Sequence, residues 1–141
     1  MKVCLGFALF YMLLGLSFGV FGREYTKRKG MDAAEAKKTN LMDLHPHTLM
    51  LGMFMFLILS AFGYFSHSFA ADRALFAWFM VIYNIGILGT IFMLLVRGMI
   101  QINGKELPKK KNASISGMAG LFHIVTFIGL ILLFCTLYHC L

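Results

Sequence analysis

Four apolar runs, at about residues 3–22, 44–66, 74–97 and 114–138, constrain this chain more than anything else in it. Each is close to or above the ~20 residues that an α-helix needs to cross a hydrocarbon core of ~30 Å. Only 13% of the 141 residues are charged, against 60% hydrophobic. A soluble domain of this size covers its surface with about twice that share of charge. The expectation is therefore all-α: one domain over residues 1–141, an integral membrane four-helix bundle running up-down-up-down.

The first run resembles a secretory leader, because Lys2 precedes it and Ser17-Phe18-Gly19 looks like a small-residue cleavage site. The charges behind it argue for an uncleaved anchor. Arg23, Lys27, Arg28, Lys29, Lys37 and Lys38 crowd the first connection, and Arg97, Lys105, Lys109, Lys110 and Lys111 follow the third run. The connection between the second and third runs has only Arg73. Basic loops stay cytoplasmic, so a multi-pass protein of the cell (plasma) membrane is expected, with both termini outside. Topology and anionic lipid absorb the net charge of +7, and no nucleic acid is needed as a partner.

Helix 1 places Gly15, Gly19 and Gly22 on one side, continued by Ala8 and Tyr11. Small residues four apart let helix backbones approach in lipid. They serve packing within the chain or, on the sharper reading, a homodimer through Gly15 and Gly19. Asp32 and Glu35 have capping-box spacing and predict a short surface helix in the first basic loop. Cys4, Cys135 and Cys140 gather at the outer ends of helices 1 and 4. A bridge from Cys4 to either of the others is within reach, although free thiols are the commoner case.

Imidazole is what a bare membrane span does not require. His45 and His47 flank Pro46 where a lysine-rich loop turns into helix 2, which starts near Asp43 or, if earlier, near Thr39. Two residues apart, the rings diverge by about 200° around a helix, so only one can face a given partner. The His45 side carries Leu49, Gly52, Phe56, Ser60 and Gly63, small enough for a flat ligand or a close helix. The His47 side carries Met50, Leu51, Phe54, Ile58 and Ala61. His123 lies well inside helix 4 beside Ser116, Ala119, Gly120 and Thr126. His67 and His139 fall at the outer ends and are read as solvent-exposed. Asn84 sits near mid-membrane, where an amide needs an interhelical partner. Arg97 ends helix 3 level with the helix 2 histidines.

Ionisable groups inside a bilayer face the bundle interior or a cavity. Helices 2 and 4 run in the same direction and are diagonal in such a bundle, so early histidines on both can meet at the axis. That pattern points to one b-type haem with His47 and His123 as axial ligands to iron and His45 in reserve. Gly52, Gly120 and Asn84 then lie beside the pigment and Arg97 meets its propionates. Electron transfer, gas sensing or haem handling would follow, with a redox partner or quinol, rather than catalysis. Two alternatives stay open: a structural or accessory subunit whose histidines only pack, and a copper protein using thioether and imidazole, since Met42, Met50, Met53 and Met55 are close by.

Several segments together resemble an uncharacterised family of small bacterial four-helix membrane proteins. They are Gly22-Arg23-Glu24-Tyr25-Thr26-Lys27, Leu44-His45-Pro46-His47-Thr48-Leu49-Met50-Leu51-Gly52-Met53, Tyr83-Asn84-Ile85-Gly86 with Arg97-Gly98, and Gly117-Met118-Ala119-Gly120-Leu121-Phe122-His123. That family carries threonine between the two histidines, where this chain has Pro46. The resemblance implies the fold and no activity. A shorter stretch, His47-Thr48-Leu49-Met50-Leu51-Gly52-Met53-Phe54, is similar to a haem-ligating helix of haem-copper oxidase and nitric oxide reductase catalytic subunits. Their copper-binding histidines are absent here, so this likeness implies haem b ligation at most.

Overall fold

The computed structural model describes residues 1–65, 73–104 and 106–139. Four long helices cross it: span 1 (Lys2–Arg28), span 2 (Asn40–Phe65), span 3 (Arg73–Ile102) and span 4 (Lys109–Tyr138). All four are long and apolar enough to traverse a bilayer, and the protein is a multi-pass membrane protein. Span 1 ends on Lys27 and Arg28, and span 4 begins with Lys109, Lys110 and Lys111. Gly30 and Gly104 take positive φ just beyond spans 1 and 3, where a left-handed residue ends a helix at least cost. The expected surface helix is present at Ala33–Lys37, with Asp32 accepting from the Ala34 and Glu35 amides and Glu35 reaching back.

Span 2 starts at Asn40 with Thr39 as its cap, the earlier of the two predicted starts. It is not uniform. Residues Asn40–His47 are α-helical, Thr48–Phe54 form a π-helical turn, and Met55–Phe65 resume the α-helix. Pro46 removes one amide donor just before the wide turn, and Gly52 lies within it; both weaken the regular ladder. Within the wider turn the Leu51 carbonyl accepts from the Tyr83 hydroxyl of span 3 at 3.0 Å.

Span 3 is the hub. Over its most apolar stretch 56% of residues are buried, against 11% for span 4. Spans 1, 2 and 3 enclose an aromatic core in which Phe56 stacks on Phe7 and Tyr11 and meets Tyr83 edge-on. Span 4 packs along span 3 and shares no comparable packing with span 1 or span 2. The side of the bundle between spans 1 and 4 is therefore open.

Glycines set the close approaches. Gly15 abuts Leu49 and Thr48, and Gly19 abuts the His45 ring. The helix 1 glycines thus seat span 2 within the chain, and the homodimer face proposed through Gly15 and Gly19 is already occupied. Tyr11 donates to Asn84 Oδ1 at 2.6 Å, while Asn84 Nδ2 donates to the Met80 carbonyl. A double-mutant cycle on Tyr11→Phe and Asn84→Ala, read by unfolding in detergent, is expected to give a coupling of about 0.6–1.7 kcal/mol, the range for interhelical side-chain bonds in membranes. Neither Cys4 nor Cys135 is in a disulfide; Cys140 lies outside the described residues.

Candidate functional site

Helical phase, at about 100° per residue, decides where each histidine looks. On span 3, Gly86 and Gly89 press on Thr126 and Phe122 of span 4, whereas Gly98 presses on Leu41 of span 2 and Asn84 bonds to span 1. Taken round span 3 in order, the neighbours are span 4, span 2 and span 1. On span 2, His45 and Leu49 face span 1. His47, about 200° from His45, faces the angle between spans 2 and 4. On span 4, Phe122, Thr126 and Gly129 contact span 3, and His123, about 100° beyond Phe122, turns to the span 2 side of that seam. By helical phase both rings turn toward a lateral channel beside span 3, the gap left where spans 2 and 4 share no comparable packing.

Their depths agree. The Leu51 carbonyl meets Tyr83, whose backbone meets Gly129. His47 and His123 lie about 6 and 9 Å from that level toward the basic end, at 1.5 Å per residue. Spans 2 and 4 each sit on span 3 and share no comparable packing, so they stand farther apart than the usual interaxial distance of about 8–10 Å. This is not the closed axis that the bundle pattern suggests. Tyr11, Phe56 and Tyr83 fill the axis, and the channel opens sideways, which leaves His123 exposed and His47 half-buried.

The hydrogen bonds select a tautomer. His47 Nδ1 lies 2.8 Å from the Asp43 carbonyl and His123 Nδ1 lies 2.7 Å from the Ala119 carbonyl. A carbonyl only accepts, so each Nδ1 carries the proton and donates. Each Nε2 is then left with an open lone pair. Ring nitrogens that bind metals are oriented by this same kind of bond on the other nitrogen. His45 also donates from Nδ1, to the Gly15 carbonyl at 2.9 Å, but this bond joins spans 2 and 1. His45 holds helices together on the far side from the channel.

Three other predicted neighbours of the channel are corrected. A Cβ on Gly52 would fall within the Tyr11 ring, so its space is spent on packing span 1. Asn84 is spent on Tyr11, the interhelical role expected of a mid-membrane amide. Gly120, with Gly117, has nothing within 4 Å and is exposed on the outer face of span 4. His139 is exposed beyond span 4 as expected, and His67 lies outside the described residues.

Thr90 is the group that sequence alone gives no reason to single out. It lies on the span 3 face bearing Tyr83, Gly86, Met93 and Arg97 and is 4% exposed. Its Oγ1 has no hydrogen-bond partner among the described residues. Buried hydroxyls without partners are rare and call for an explanation; this one shares its face with Gly86, which packs on span 4. Further toward the basic end Arg97 is half-buried, and no acceptor bonds its guanidinium among the described residues. Nothing groups three or more of His, Cys, Asp and Glu around a metal among the described residues. Met50 is exposed, and Met53 lines a cleft against span 1, so the thioethers do not converge on the histidines.

The profile of a family described as "Protein of unknown function (DUF2871)" matches residues 1–140. No curated protein and no solved structure matches the chain.

Proposed function

The chain belongs to that DUF2871 family, and for it we propose a membrane protein that holds one b-type haem by His47 and His123. The observation that carries this reading is the pair of carbonyl-anchored rings, with free Nε2 atoms at matching depth on one channel. Thr90 and Arg97 support it as polar groups left without partners among the described residues on one face of span 3. Arg97 is the residue for a propionate carboxylate. A haem in such a place supplies one-electron chemistry or binding of a small gas. What the chain supplies is ligation, orientation through Asp43 and Ala119, and an apolar wall. A redox partner or a quinol would exchange the electron.

An absorption spectrum of the purified protein tests the reading directly. Red protein with a Soret band and split α/β bands on reduction is expected. Colourless protein after expression with ample haem supply would end it. The second reading is an accessory subunit without cofactor, favoured by the open outer face of span 4 at Gly117 and Gly120. It predicts colourless protein that co-purifies with another membrane chain.

The proposed address is the cell membrane, with both basic loops cytoplasmic. A phosphatase fused after the last residue is expected to be active outside the cytoplasm. The same enzyme inserted near Ala34, in the first basic connection, should be silent. The reverse result would invert the topology.

A further inference from the structure

At the basic end of the seam between spans 3 and 4 lies a cavity of about 240 Å³, lined by Arg97, Ile100, Gln101, Leu107, Asn112 and Ile115. The other cavities described are walled mainly by apolar side chains; this one combines a guanidinium with two amides. The Gln101 Oε1 accepts from the Asn40 amide at 2.8 Å, which fixes that side chain and leaves its NH₂ as a donor. Lys109, Lys110 and Lys111 start span 4 directly above the lining residue Asn112. The acid nearest in sequence, Glu106, is exposed and forms no ion pair among the described residues. A half-buried guanidinium without a partner, flanked by amide donors and three lysines, is arranged to take an oxyanion.

We propose that this cavity binds a phosphate group, and that the phosphate belongs to an anionic membrane lipid. Depth favours this over a carboxylate from the channel. Arg97 lies only five residues from the end of span 3 at Ile102, while Leu107 and Asn112 belong to the connection and the first turn of span 4. The cavity therefore stands at headgroup level, and basic pockets between spans are a known form of anionic-lipid recognition. The proposal does not need a haem, but it competes with the haem reading for Arg97: a phosphate held there would leave no guanidinium for a propionate.

The test is a melting curve of the full-length protein in neutral detergent, with added phosphatidylglycerol, phosphatidylcholine or inorganic phosphate, read by intrinsic fluorescence so that pigment is not needed. Phosphatidylglycerol alone is expected to raise the midpoint in a saturable manner. Arg97→Gln should weaken its apparent affinity by about tenfold, equivalent to one charge-assisted pair. Asn112→Leu, which keeps every charge, should weaken it as well, and this separates a built site from general attraction to lysines. An equal rise with inorganic phosphate would support the site with free phosphate as its source. Equal rises with phosphatidylcholine, or affinities unchanged in both variants, would overturn it. Should Arg97→Gln fail to fold, the Asn112→Leu comparison decides alone.

Discussion

His47→Ala and His123→Ala are each expected to abolish the low-spin haem spectrum while leaving a folded four-helix protein. Each ring spends Nδ1 on a carbonyl of its own helix, at Asp43 and Ala119. Removing either side chain therefore breaks no hydrogen bond between spans. The cost to stability should stay within about 0.5 kcal/mol, as for substitutions away from packed features. The low-spin bands should be lost completely, because one remaining imidazole would not hold the iron low-spin, whether or not some high-spin pigment stays bound. His45→Ala is expected to do the reverse. It breaks the bond from span 2 to the Gly15 carbonyl and should cost about 1 kcal/mol, with the spectrum of the folded fraction retained. His67→Ala and His139→Ala should change neither quantity. Spectra unchanged in the His47 and His123 variants would end the assignment, and loss of pigment in His45→Ala alone would move the site to the span 1 side.

How far the sequence could be read follows from the kind of information each feature carries. Hydropathy alone located the four spans, because bilayer thickness imposes a length that soluble folds do not. The capping box at Asp32 and Glu35 was legible for a similar reason: two side chains answer two backbone groups at a fixed spacing. Divergence of His45 and His47 was also legible, since it needs only helical geometry. Which of the two met span 1 was not. That depended on Gly19 leaving room beside His45, a complementarity between helices 26 residues apart. The closed axis was expected because four antiparallel helices usually share one core. Here Tyr11 and Phe56 already fill the space among three spans, so span 4 had to settle on the outer side of span 3. Gly52 illustrates the limit: a small residue marks close approach, and sequence does not say whether a ring of the protein or of a ligand makes it.

Gly86→Val should be the most damaging of the single substitutions at the span 3–span 4 seam. A Cβ at Gly86 would lie 2.6 Å from the Thr126 amide nitrogen and 2.7 Å from its Cα. These are backbone atoms, and no rotamer change relieves the overlap. The seam has a second such point on the opposite helix, where a Cβ on Gly129 would be 2.8 Å from the Tyr83 Cα. Span 4 holds to the molecule through this seam, so a forced separation cannot be recovered by contacts elsewhere. Overpacking of this kind costs about 1–3 kcal/mol, and the β-branched side chain places the variant at the upper end. Unfolding in detergent should register that loss, together with faster proteolysis in the connection before span 4. Gly120→Val is the matched control on the same helix, because nothing lies within 4 Å of its Cβ position. It should leave the unfolding midpoint unchanged within error. If Gly120→Val proved as damaging as Gly86→Val, the outer face of span 4 would have to be covered by part of this chain. The lateral channel bordered by His47 and His123 could not then be open as described.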